Sequence, residues 1–467
     1  MKKYLLWLTI LVISISMIVS FTLSGCKKEV APAEEAAPAE EEVTEEAPAE
    51  EAKEKPYDGV TVNILTHETP LFNNAFEDSK GELLEKEGIT LDWSHIPNRE
   101  FIETKMELAL KEEGGKYDLV VWTIGSESRV RGQGYFEPLE QYINNTDLTP
   151  SDWDYDDFFP GFMETFCTWP EEGGLVSLPI TANSMVLFYR TDLFEEAGLE
   201  PPTTWDEYLA TAKALNNPDE GVYGNIIMAK ECIQLYYTFI AILSSLENVD
   251  GIPFVFDVDT YEPTMNTPEG KRAAEILMEA MQYASPDAIN YDWPGGQEAM
   301  QLGKGAMFIQ WNNSKGMYQD PELSVVVDKV MTALIPGESH PYAGPWYISL
   351  ISESKNKEAA WTVMRYLEDK EHLLKYATDP GTMWIPARKS VGEAPEMLEV
   401  IPDFSVVLEQ LSTAVKEPSI IGMSEIQMLV DRYLVGMVQG LTTVDETLEA
   451  IDKDVRQIMV DNGYLEE

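Results

Sequence analysis

The chain has 467 residues, 44% of them hydrophobic and 10% aromatic, enough apolar material for roughly two to three domains. Its net charge of −49 argues against a nucleic-acid partner and against adhesion to anionic lipid, because both need a basic surface. Charge of this size is a solvation device, and self-repulsion predicts a fold that becomes more stable as salt rises.

Met1-Lys2-Lys3 opens a positively charged start, and Tyr4 to Phe21 is almost wholly apolar. Leu23-Ser24-Gly25-Cys26 follows, a small-residue cleavage site with a thiol just after it. The pattern reads as a secretion signal over 1–25 rather than a spanning helix. The motif resembles the lipobox of bacterial lipoproteins, which implies diacylglyceryl modification of Cys26 and membrane attachment through two acyl chains. Residues 27–55 repeat Ala-Pro-Ala-Glu-Glu three times and hold eleven Glu against four Lys, with no aromatic residue. Such a segment cannot bury enough surface to offset its ordering entropy. The stretch 26–56 is therefore read as a lipidated cysteine and an acidic disordered linker, reaching about 100 Å when extended. Without the two signal lysines and the linker's net −7, the folded body retains −44.

From Pro56 the pattern alternates strand and helix. Gly59 to Leu65 alternates as a half-buried strand, Leu71 to Leu84 is helical, and Ile89 to His95 is a second strand. A helix over Glu100 to Lys111 leads to Tyr117-Asp-Leu-Val-Val-Trp122, an apolar run with the look of a strand buried on both faces. Strand, helix, strand, helix, strand predicts a parallel sheet with crossover helices. Capping boxes at Thr204–Glu207 and Thr443–Glu446, an N-cap and proline at Thr267-Pro268, and a cap at Asn356 punctuate later helices. Cys167 and Cys232, too few for a disulfide framework, are read as free thiols.

Five ordered stretches carry a family resemblance: Tyr117–Trp122 with Gly134–Glu140; Gly174–Ile180 with Leu187–Leu199; Pro201–Glu207; Gly303–Ile309 ending at Trp311; and Ser352–Trp361 with Ile385–Ser390. Together they resemble the extracellular solute-binding proteins of ABC importers, in the sugar-binding group that includes maltose-binding protein. The resemblance implies an α/β, two-lobed periplasmic-binding-protein fold (type II-like). Each lobe is then a mainly parallel sheet flanked by helices, with a hinge and an interlobe cleft. Chain crossings are expected near 181–186, 343–348 and 385–388. These give an N-terminal lobe of 57–182 plus 346–386 and a C-terminal lobe of 183–345 plus 387–467. Ligands in such sheets bind beyond the carboxyl ends of strands, and facing ends make a cleft that closes by hinge rotation.

A neutral sugar needs flat aromatic surfaces for its C–H faces and polar groups for its hydroxyls. Trp122 and Trp311 end predicted strands, Trp346 and Tyr347 lie at the second crossing beside Gly344, and Trp384 precedes the third. Trp205 and Trp361 fit core positions. Glu68, Asn183, Arg388 and Tyr236 (or its neighbour Tyr237) are the polar and second-lobe candidates, and Arg388 alternatively pairs with a nearby carboxylate. Asp152, Asp154, Asp156 and Asp157 fail the calcium-loop pattern, which needs a glycine at its sixth position and a glutamate at its twelfth. The four histidines lack metal spacing, so no metal or cofactor is expected. The partners expected are a small solute, an ABC permease and, through the lipid anchor alone, the outer face of a membrane; the protein is expected to be a monomer and not an enzyme. Two alternatives stand beside the sugar receptor. The same fold would take a polyamine, an organic cation or a metal chelate if Glu68 and Asp292 pointed inward. An anchored carbohydrate hydrolase or lyase would need two carboxyls flanking a scissile bond.

Overall fold

The computed structural model describes residues 55–67, 73–96, 102–113, 115–123, 127–249, 251, 253–338, 340–379 and 384–466. The expected signal, Cys26, the linker up to 54, and Glu68 lie outside these residues.

Strands β1 (Thr61–His67), β2 (Thr90–Ile96) and β3 (Leu119–Thr123) alternate with helices α1 (Asn73–Lys86) and α2 (Ile102–Glu113). β1 pairs in parallel with β2, from Thr61↔Thr90 to His67↔Ile96, and with β3 through Ile64↔Leu119. This is the expected parallel unit. Every residue of β3 is buried, because it is covered on both faces and flanked on both edges. Two further strands complete the sheet, β4 (Ser177–Thr181) and β8 (Trp346–Leu350), in the order β2-β1-β3-β8-β4. β8 is antiparallel to both neighbours, so the sheet is mixed rather than mainly parallel. The reason is topological. β4 runs out of the first half toward residue 182, and β8 comes back from the second half through that same end.

The second sheet holds β5 (Met185–Arg190), β6 (Met307–Trp311) and β7 (Val330–Ala333) in the order β6-β5-β7, with both pairings antiparallel. Parallel pairing survives there only as isolated bridges, Tyr223↔Gly305 and Ile226↔Phe308. β5 is covered on both faces. Met185 and Leu187 join one large core, and Val186 and Phe188 a smaller one behind it. Helices α3 (Trp205–Leu215), α4 (Gln234–Leu243), α5 (Pro268–Met281), α8 (Met423–Val438) and α9 (Val444–Asp461) build the large core, with α4 packed on α5 and α8. The capping boxes form at both expected positions, Thr204–Glu207 and Thr443–Glu446. Thr267 caps α5 through the Gly270 amide.

Asn356 departs from expectation. It precedes helix α6 (Lys357–Leu367) but makes no side-chain cap. Its amide instead donates to Thr61 O and to the Asp118 carboxylate, a buried acceptor with a stronger demand for donors.

The main apolar clusters divide the body in two. The first runs from Val62 to Ala182 and from Ala343 to Leu411, and the second takes the intervening residues and Ile420 to Met459. The chain thus passes between them near 182–185, 342–346 and 412–416. The third passage falls later than expected. Val391, Met397, Ile401, Phe404, Val407 and Leu411 pack in the first core, where the sequence suggested the second. Helix α7 (Phe404–Ser412) explains the shift: its apolar side faces the first core while its polar residues serve the second sheet. Asp403, just before it, pairs with buried Lys315 at 3.0 Å and accepts the Thr332 amide. Gln410 accepts the Ile335 amide at 2.8 Å.

Candidate functional site

The strand ends that face each other lie where the chain passes between the two cores. At the first sheet's end Trp346 is in register with Thr123 on one side and Thr181 on the other. At the second sheet's end Trp311 is in register with Met185. The passages bind one another through the backbone. Gly344 N donates to Asn183 O, Met185 N to Tyr342 O, Asn312 N to Ser184 O, and Ala343 N to Val415 O. Gly344 has to be glycine here, since a Cβ would sit 2.6 Å from the Trp311 ring.

Trp311 is half-buried. It meets Tyr237 edge-on at 5.1 Å and Tyr342 at 5.9 Å, and Tyr237 and Tyr342 stack at 5.4 Å. Trp346, 7% exposed, stands at the other side of the passages. Asn183 Oδ1 accepts from Thr181 Oγ1 at 2.8 Å, and Asn312 Nδ2 donates to Ala182 O at 3.2 Å. Gly344, two residues before Trp346, bonds Asn183 through its amide and lies against the Trp311 ring. Trp384 is close by in the chain's path, since the next residue, Ile385, hydrogen-bonds Thr181 Oγ1 and the Ala182 amide. Its ring is buried against Phe76 and Tyr376.

The other candidates fall elsewhere. Trp122 is completely buried in the first core. Its indole donates to Ser349 Oγ at 3.0 Å and packs against Phe136, Trp169 and Tyr347. Tyr347 shares that cluster, because it is the register partner of Trp122. Its neighbour Trp346 occupies the alternate face. Arg388 is fully buried too. Its guanidinium donates to Glu368 O and Asp154 O, lies 3.6 Å from Asp157, and stacks over Trp153 and Phe158. Asp157 in turn holds Ser390 through its amide and hydroxyl. In the acidic turn Asp152, Asp154 and Asp156 are exposed, while the Asp154 carbonyl and the buried Asp157 carboxylate meet Arg388. Tyr236 is buried behind Tyr237 rather than beside Trp311.

Several residues of the junction escaped the sequence. Glu127 and Arg131 follow β3, and Lys416, Glu417 and Ser419 follow the third passage. Ser419 Oγ donates to Glu127 Oε1 at 2.7 Å and accepts from Arg131 Nη1 at 3.2 Å, while Lys416 Nζ reaches Thr165 O. Glu417 Oε2 accepts from Tyr342 OH at 3.0 Å and Gln427 Nε2 at 2.6 Å. Burial pushes the Glu127 carboxyl above its ordinary range. Burial does the same to Glu417, which reaches about 8, with Glu127 adding repulsion. Asp431 on α8 accepts the Cys232, Ile233 and Tyr236 amides at the start of α4, and burial lifts it to about 6. No local pattern marks these acids among 82 acidic residues. Asp292, suggested as an inward acid, instead pairs with Lys230 and caps its own helix through Gly295. Cys167 and Cys232 are both free. Among the described residues no acid, histidine or cysteine cluster could hold a metal, and no helix is long and apolar enough to cross a membrane.

The sequence profile of the bacterial extracellular solute-binding proteins matches residues 66–372. The chain belongs to that family. The family places it outside the cytoplasm and among binding proteins. It is 25% identical over 335 residues to a mannitol-binding protein of Pseudomonas aeruginosa, covering 69% of this chain and 72% of that one. It is 22% identical over 391 residues to an erythritol/L-threitol-binding protein of Mycolicibacterium smegmatis, covering 79% and 77%. A solute-binding protein of Agrobacterium radiobacter K84, solved with ribitol, superposes with a TM-score of 0.74 at 25% identity. It covers 86% of this chain and all of its own. Two-lobed neighbours of this kind establish the same fold here.

Proposed function

We propose that this chain is the receptor of an ABC importer, holding a neutral sugar or polyol between its two halves and passing it unchanged to a membrane permease. The observations that carry this are two strand-end tryptophans on different sheets, Trp311 and Trp346, with Gly344 of the second passage lying against the Trp311 ring and bonded to Asn183, in a chain akin to mannitol- and erythritol-binding proteins. Indole faces suit the C–H side of such a solute, and an amide both donates to and accepts from its hydroxyls. The halves we propose are 57–182 with 346–411, and 183–345 with 416–467, hinged at the three passages. Anchoring through lipidated Cys26 and the acidic linker, and a monomeric state, belong to the same proposal.

Titrating intrinsic fluorescence with mannitol, ribitol, erythritol and maltose tests it, since Trp311 is placed to report. Saturable change with at least one, at a micromolar Kd or about −8 kcal/mol, is expected. A folded protein giving no response to any of them contradicts it. A second reading, a cationic solute, draws on Glu127 and Glu417 at the junction. Arg131 and Lys416 attract and offset the Glu127 carboxylate, and burial holds Glu417 toward its neutral form, which together favour the neutral ligand. Spermidine in the same titration separates the two.

A further inference from the structure

We propose that Glu127 is a solute-contacting residue of the cleft, its Oε2 oxygen hydrogen-bonded to a hydroxyl of the bound sugar or polyol. The inference rests on the carbohydrate reading above. Glu127 follows the carboxyl end of β3, on the side where the passages lie, and faces Ser419 of the other half. It is 3% exposed. Oε1 is satisfied by Ser419, but Oε2 is buried with no hydrogen-bond partner among the described residues.

The neighbouring cations do not supply one. Arg131 donates to Glu171 through Nε and to Ser419 through Nη1, and Lys416 donates to the Thr165 carbonyl; both attract the Glu127 carboxylate, and neither hydrogen-bonds Oε2. Glu417, buried in the same junction, has two donors on one oxygen. Glu368, another buried carboxyl whose oxygens lack hydrogen bonds, feels the attraction of Arg388 inside the first core and does not face the junction. Glu127 thus combines burial, a free oxygen and a position between the halves. An ionised carboxylate there needs a donor, and a protonated one also needs an acceptor. A solute hydroxyl provides either, so the demand is met in both states. Ser419 then acts as a positioning residue, fixing the carboxyl plane from across the junction when the halves are closed.

Calorimetric titration of the full chain and its E127Q and E127A variants with mannitol, ribitol and maltose tests this, alongside thermal unfolding without ligand. We expect E127A to weaken the best ligand about tenfold or more. E127Q, which keeps an acceptor, should lose less than about threefold. E127Q should unfold close to the parent, because it keeps an acceptor for the Ser419 hydroxyl, whereas E127A gives up that hydrogen bond, so its binding loss is read against its own unfolding midpoint. E127A binding like the parent overturns the inference, as does equal loss in both variants accompanied by early unfolding, the mark of a purely structural role. If the parent binds neither these three nor erythritol, the carbohydrate reading fails and this falls with it. If the parent binds and only the variants behave otherwise than stated, this inference alone fails.

Discussion

Tryptophan at a strand end has two fates here, and the sheet's alternation separates them. Trp122 points into a cluster with Phe136, Trp169 and Tyr347 and spends its N–H on Ser349. Trp311 stays half-exposed over Gly344. Trp122→Ala should therefore cost about 3–5 kcal/mol of stability, read from denaturant unfolding. Trp311→Ala should leave the unfolding midpoint nearly unchanged and weaken solute binding by up to about tenfold, seen by calorimetry. Equal stability losses for the two would contradict the division. Glu417 supplies a pH signature. Its carboxyl is raised from 4.5 to about 8 by burial, so the folded state holds a proton that the unfolded state releases. Stability contributed this way is full below pH 4.5 and declines as pH rises toward 8. Glu417→Gln should flatten that decline in Tm measured from pH 5 to 8; an unchanged slope would show that Glu417 ionises freely.

At the scale of elements, the sequence was legible where local chemistry decides. The parallel β1, β2, β3 unit, both capping boxes and the Thr267 cap are all written in alternation or in side chains three residues apart. It was illegible where the partner is remote. The antiparallel entry of β8 depends on which end the chain returns through. Asn356 gave up its cap for Asp118, some 238 residues away. For the same reason Trp311 was visible as a strand-end residue and Asn183 as a residue of the expected first crossing, whereas Glu127 and Ser419 meet only across 292 residues. Helix α7 shows the consequence most clearly, since its apolar side belongs to one core and its polar side to the other. Breaking its buried Lys315–Asp403 pair by Lys315→Met leaves an uncompensated carboxylate. This should cost about 3–5 kcal/mol in chemical denaturation. A loss below about 1 kcal/mol would mean that α7 is not held to the second sheet by this pair.

The described body is built on two main sheets of different topology joined by three backbone passages that hydrogen-bond one another. A hinge of that kind needs few residues to move, which suits capture by closure. The net −44 of the body works against compactness, and most of it faces solvent. Raising sodium chloride from about 10 mM to about 500 mM, which shortens the Debye length from about 30 Å to a few ångströms, should raise Tm by several degrees. A falling Tm would show that attractive ion pairs outweigh the repulsion.

Calorimetry of the full chain against mannitol, ribitol, maltose and spermidine, with the solute recovered and analysed afterwards, tests the proposed capture of a neutral solute most directly. A single saturable one-to-one isotherm with at least one neutral solute, no heat with spermidine, and a ligand recovered chemically intact are expected. Binding of spermidine alone, or a steady heat of turnover with altered sugar, would contradict it.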